Sequence, residues 1–179
     1  MRSRSLAISI AVVLALSSAA YADDDGLRFS ASLSGAQEVV FDAGGAFVPG
    51  GRDTDAEGTI RVEFDKALTK VEVNLRIKDL AGAFAAAHFH CGRAGQNGPV
   101  AFGLVNPGPL DFDGKRIRGT LRNTDFNNVD CVPVVGRPVN NIAALAFAMR
   151  DGLVYANVHS TLFPPGEIRG QMLSKEDDD

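Results

Sequence analysis

Apolar residues recur at every second position through most of this chain, and that alternation, more than any other feature, restricts it to strands with one wet face. Leu27, Phe29, Ala31 and Leu33 alternate with Arg28, Ser30 and Ser32. Ile60, Val62 and Phe64 alternate with Arg61, Glu63 and Asp65, and Val71, Val73, Leu75 and Ile77 with Lys70, Glu72, Asn74, Arg76 and Lys78. Further strands are expected over 84–90, 99–105, 115–121, 153–159 and 167–173, separated by clusters of Gly, Pro, Asn and Asp that supply turns. Many short strands punctuated in this way predict an all-β fold, an antiparallel β-sandwich or Greek-key-like barrel. One segment departs from the pattern. Ile142, Leu145, Ala146 and Met149 recur at helical spacing behind the capping candidates Asn140 and Asn141, with Gly152 as a stop, so 142–151 is expected to form one short α-helix. The glycine-rich stretch Asp42–Asp55 is expected to be a long loop that either folds over a site or moves freely.

The ends bear on where the chain works. Arg2 and Arg4, the apolar run Leu6–Leu16 and the small-x-small triplet Ala20-Tyr21-Ala22 read as a signal peptide over residues 1–22, so a single mature domain is expected over 23–179, closed by the short acidic tail Lys175–Asp179. That leader predicts a secreted or periplasmic product. The apolar run is too short for a bilayer of ~30 Å, and no later segment reaches the roughly 18 to 20 apolar residues that a membrane helix needs, so no transmembrane segment is expected. A formal charge of −4, with arginines spread along the sequence, argues against nucleic acid as a partner. The two cysteines, Cys91 and Cys131, in a chain bound for an oxidising compartment, are most simply one disulfide; reactive or metal-bound thiols are the alternative.

The residues that point to chemistry are the three histidines, the whole histidine content of the chain. In a strand, residues two apart share a face, so His88 and His90 project together while Phe89 turns the other way. His159 ends another strand, on the face of Tyr155 and Asn157, opposite Val154, Ala156 and Val158. If the two strands adjoin, three neutral imidazoles form a metal site with an open position, and Tyr155 and Asn157 are placed to hold their orientation. The competing reading is three hydrogen-bonding histidines that stiffen loops. Nothing supports other site chemistries: the chain has no Gly-x-Ser-x-Gly elbow, no phosphate loop and no dinucleotide fingerprint.

Residues Phe29–Met172 resemble a CHRD domain, the module named after its occurrence in chordin and common in exported bacterial proteins. The resemblance rests on Leu33-Ser34-Gly35-Ala36-Gln37-Glu38-Val39, Ala87-His88-Phe89-His90-Cys91-Gly92, Gly95-Gln96-Asn97-Gly98-Pro99-Val100, Tyr155-Ala156-Asn157-Val158-His159-Ser160 and Gly166-Glu167-Ile168-Arg169-Gly170-Gln171. That family has no settled general activity. A second, weaker likeness is to the copper site of Cu,Zn superoxide dismutase, also a β-sandwich. It implies His88, His90 and His159 as copper ligands and Arg169 as the cation that guides a small anion such as superoxide. No further histidine exists to bridge to zinc, so a zinc-bridged dismutase site is excluded. Arg169 and Glu167 share a strand face, and pairing of Arg169 with Glu167 or another neighbour is the structural alternative.

The expected function is therefore an exported CHRD-type metal-binding domain with a three-histidine site, its cofactor a copper ion, open to superoxide dismutase-like redox chemistry. The rival is a non-catalytic extracellular module that binds a protein or matrix partner and uses its histidines structurally.

Overall fold

The alternation seen in the sequence becomes strands wherever it runs, and the computed structural model describes them over residues 27–126 and 130–174. The expected signal peptide and acidic tail lie outside the described residues. In chain order the strands are β1 (Arg28–Ser34), β2 (Val40–Phe41), β3 (Phe47–Val48), β4 (Glu57–Phe64), β5 (Lys70–Lys78), β6 (Phe84–Cys91), β7 (Val100–Val105), β8 (Arg116–Arg122), β9 (Val154–Ser160), β10 (Ile168–Gln171) and β11 (Leu173–Ser174). Two short helices, α1 (Val132–Val135) and α2 (Ile142–Arg150), lie between β8 and β9.

All pairings are antiparallel, and one sheet runs in the order β7-β6-β9-β10-β1-β4-β5-β8 with β11 on the flank of β1. The sheet curls until it is nearly closed, the barrel form of the expected fold. In β4 and β5 buried and exposed residues alternate without a break. Their inward side chains, among them Ile60, Phe64, Val71 and Leu75, meet Phe29, Phe89, Phe102 and Leu121 in one core. That inward set explains the register, because a slip of one residue would turn every apolar side chain to solvent.

Helix α2 forms where the helical spacing appears. Asn141 accepts from the Ala144 amide at 2.8 Å as N-cap, Gly152 follows with φ +66, and the apolar stripe Ile142, Leu145, Ala146 and Met149 is buried against the barrel. Two short elements were not legible in the sequence. α1 is a single turn behind Cys131, and the segment read as a loop carries the hairpin β2–β3 at its start. Beyond that hairpin the loop does fold over the sheet: Arg52 Nε donates to Gly166 O at 3.2 Å and Thr54 Oγ1 to Glu167 Oε1 at 2.8 Å.

The decisive placement for function is that of β9. It lies between β6 and β10, and all seven of its residues are buried, so its outward face is covered as fully as its inward one. On a covered face polar side chains are under pressure to find partners within the protein.

Candidate metal centre

The register of β6 against β9 pairs Ala86 with His159, His88 with Asn157 and His90 with Tyr155, so the three histidines share one patch of the outward face. Phe89 points into the core, as the period-two reading requires. One ring nitrogen from each of His88, His90 and His159 lies within 4.8 Å of the other two. Among the described residues this is the one such group of histidine, cysteine or acidic side chains.

Hydrogen bonds fix which nitrogen of each ring faces inward. A backbone carbonyl only accepts, so His90 Nδ1, 2.9 Å from Gly98 O, and His159 Nδ1, 2.8 Å from Pro164 O, both carry protons. In the neutral rings Nε2 is then a lone pair on both. His90 Nε2, like Asn157 Oδ1, Glu167 Oε2, Gln171 Oε1 and Arg137 Nε, is buried with no hydrogen-bond partner, and as an imidazole lone pair it is left open to a metal. His88 Nδ1 lies 3.1 Å from His159 Nε2, and His88 Nε2 lies 3.3 Å from Asn106 O. With no metal, His88 donates to His159 from Nδ1. With one, the proton belongs on Nε2, where Asn106 O stands ready to accept it, and Nδ1 becomes the third lone pair. A 3.1 Å edge also suits two nitrogens each about 2.0 Å from a shared ion, which would subtend roughly 100°. The residues present thus fit a metal ion on donor chemistry, and the His88–His159 edge fits it on spacing, while a group spread over 4.8 Å has to draw in for all three nitrogens to reach one ion.

Burial keeps the rings neutral. Desolvation lowers the pKa of His88 and of His90 to about 4, helped for His88 by the neighbouring His159, and it lowers that of His159 in the same direction. A depressed histidine pKa stabilises the fold fully above the unfolded value near 6.5 and loses that stabilisation as pH falls toward the folded value. Glu38, whose carboxyl is raised to about 7, gains stability over the same fall in pH and opposes this loss, so the metal-free protein carrying Glu38→Gln is expected to lose at least about 5 °C of melting temperature between pH 6.5 and pH 4.5, and wild type less. Thermal melts of both across that range test it, and a flat profile in the Glu38→Gln protein would contradict the buried placement of the rings.

The surroundings of His90 are as ordered as the ligands. Tyr155 stacks on its ring with centroids 5.0 Å apart and planes 12° apart, and the Tyr155 hydroxyl accepts from the Gly98 amide at 3.2 Å. Gly98 thus orients His90 directly through its carbonyl and indirectly through Tyr155. A side chain there is impossible without rearrangement, since a Cβ would lie 1.7 Å from Cys91 O. From the β10 side the guanidinium of Arg169 lies 3.4 Å from the Tyr155 ring centroid. Arg169 is only 1 % exposed and donates to Arg93 O at 2.8 Å, Gln96 O at 2.9 Å and Asn97 Oδ1 at 3.2 Å, clamping the segment that leads into Gly98. Glu167 is engaged elsewhere, accepting from Thr54 Oγ1 and from the Ala81 amide. Arg169 therefore pairs with neighbours in the 93–97 segment and with Tyr155. Asn157 donates to Glu38 Oε1 at 2.7 Å, and burial pushes the Glu38 carboxyl up to about 7 against that bond and the charges of Arg169 and Arg52. Sequence reasoning assigned Glu38 no role, because nothing local marks a carboxylate as buried. Cys91 and Cys131 are bridged, with 5.9 Å between their Cα atoms, so the residue after His90 is tied to the start of α1.

A CHRD domain model matches residues 29–172. The chain belongs to the CHRD domain family. No curated protein and no solved structure matches it. As a CHRD domain it presents, on the outward face of a nearly closed β-sheet, a three-histidine group able to hold a metal ion.

Proposed function

We propose that this CHRD domain is an exported copper-binding protein whose site is His88, His90 and His159, with redox exchange toward a small anion such as superoxide as its activity. The observation that supports the reading most is the convergence of three imidazoles within 4.8 Å, each with its second nitrogen facing a backbone carbonyl. Three nitrogen donors favour copper over zinc on affinity, and copper supplies a one-electron couple that zinc lacks. The residues of the chain do the rest. Gly98 O, Pro164 O and Asn106 O orient the rings, Tyr155 holds His90 in plane, and the covered face limits water around the site. Arg169 adds a fixed positive charge one aromatic ring away from His90, a field that favours an anionic reactant. The disulfide and the leader favour an oxidising, extracytoplasmic setting.

Titration of the metal-stripped protein with Cu(II) is expected to saturate at one ion per chain with a d–d absorption band. Alanine at His88, His90 or His159 should each weaken binding at least tenfold, ~1.4 kcal/mol, because no other histidine can substitute. Unchanged affinity in any one variant removes that residue from the site, and absence of stoichiometric copper favours the rival reading of a partner-binding module. If the copper form consumes superoxide no faster than chelated copper in buffer, the site is a carrier and the redox activity is withdrawn.

A further inference from the structure

Arginines that are scattered in the sequence are gathered by the fold onto one outer face. In the register of β4, β5 and β8, Asn74 is flanked by Arg61 and Arg118, and the next outward row places Arg76 between Thr59 and Arg116. Neighbouring strands are about 4.8 Å apart and successive outward residues about 7 Å apart, so the backbones of the four arginines stand within roughly 12 Å of one another. Arg61, Arg76 and Arg118 are exposed and Arg116 half-exposed. None of the four makes an ion pair among the described residues. The acidic groups on this face are engaged or peripheral. Glu57 is bound by Lys78 at 3.0 Å and Glu63 by Arg28 at 3.4 Å. Asp113, which feels the charges of Arg116 and Arg118, spends Oδ1 on the amides of Lys115 and Arg116. Glu72 alone remains, one row beyond Asn74.

Four guanidinium groups without an ion pair among the described residues, two of them only partly offset by Asp113, repel one another, and a cluster of this kind is relieved by a polyanion. We propose that this face binds an anionic polysaccharide through its carboxylate or sulfate groups. The planar guanidinium fork matches both groups bidentately. Two hollows, of ≈ 650 and ≈ 320 Å³, are lined by Arg61 and Arg118 beside Glu63 and Glu72, and by Arg76 and Arg116 beside Glu57. Between the charges stand Ser30, Thr59, Asn74 and Thr120, hydrogen-bonding groups suited to sugar hydroxyls. The outward positions of β1, β4, β5 and β8 hold no aromatic and no aliphatic side chain. Stacking platforms for single-stranded nucleic acid and apolar side chains for membrane insertion are therefore missing. The face is separate from the histidine group, since β10 and β1 intervene between β9 and β4.

The full folded chain is to be run on immobilised heparin, with polygalacturonate as the carboxylate competitor. Retention at 0.1 M salt that collapses by 0.5 M, and displacement by either polymer, are expected. Replacing Arg61, Arg76, Arg116 and Arg118 together with serine should lower affinity at least tenfold and flatten its salt dependence. Copper binding should stay unchanged. Serine at Arg93 and Arg150, cations off this face, should change affinity less than twofold. If the fourfold variant fails to fold, Arg118→Glu alone decides, with at least a threefold loss expected. No retention of the wild type at 0.1 M salt, equal retention of the arginine variants, or tighter binding to duplex DNA or to phosphatidylglycerol vesicles than to either polysaccharide would each overturn the proposal.

Discussion

Replacing Arg169 with alanine is expected to destabilise the protein by about 4 kcal/mol, lowering its melting temperature by roughly 8 to 16 °C. The effect comes from what the guanidinium leaves behind. Arg93 O, Gln96 O and Asn97 Oδ1 would lose their donor in a region where Arg169 itself is 1 % exposed, and each stranded acceptor costs roughly 1–3 kcal/mol. The contact with the Tyr155 ring, worth about 2 kcal/mol when desolvated, is lost as well. Some of that cost is recovered as the 93–97 segment relaxes toward water, which is why the sum stays below the total of its parts. Copper affinity should fall too, because the same segment carries Gly98, whose carbonyl orients His90. Arg169→Lys restores the charge without the fork, so it should sit between alanine and wild type in stability. Calorimetry of both variants checks this, and an alanine variant melting within 2 °C of wild type would show that the buried fork contributes nothing. The copper-loaded lysine variant isolates the electrostatic part. Superoxide consumption that keeps its wild-type dependence on ionic strength there fits a role for the charge, and an unchanged rate in a folded, copper-loaded alanine variant rules that role out.

The second large effect concerns the bridge between Cys91 and Cys131. Paired serine substitutions should cost about 4 kcal/mol, from the loop-closure entropy of a crosslink spanning 40 residues in sequence. Copper should also dissociate faster, since Cys91 follows His90 directly and its carbonyl lies under Gly98. Urea denaturation of oxidised wild type against the double variant measures the first, and stopped-flow transfer of copper to a chelator the second. A stability difference under 1 kcal/mol would mean that the reduced chain is already held by its β6 pairings.

Much of this protein was legible one residue at a time. Period-two alternation fixed strands and inward faces at β1, β4 and β5, because a strand's two faces are a local property of the backbone. Helical spacing with Asn141 and Gly152 located α2 for the same reason. His-x-His put two imidazoles on one side of β6 before any tertiary contact was known. The hairpin β2–β3 was not legible, since its two-residue strands are too short to show a period.

Everything that depends on which strands meet was decided only by the fold. His159 joins His88 across 71 residues because β9 inserts beside β6. The orientation of each ring is set by carbonyls of Gly98, Asn106 and Pro164, groups present in every residue and so without a sequence signature. Arg169 reads as a guiding cation or a partner of Glu167 or another neighbour, yet it is buried against the 93–97 segment and the Tyr155 ring. The arginines of β4, β5 and β8 look dispersed along the chain and form one face. Local periodicity dictates which way a side chain points, and only the long-range pairing of strands, driven by burial of the core, determines what it points at.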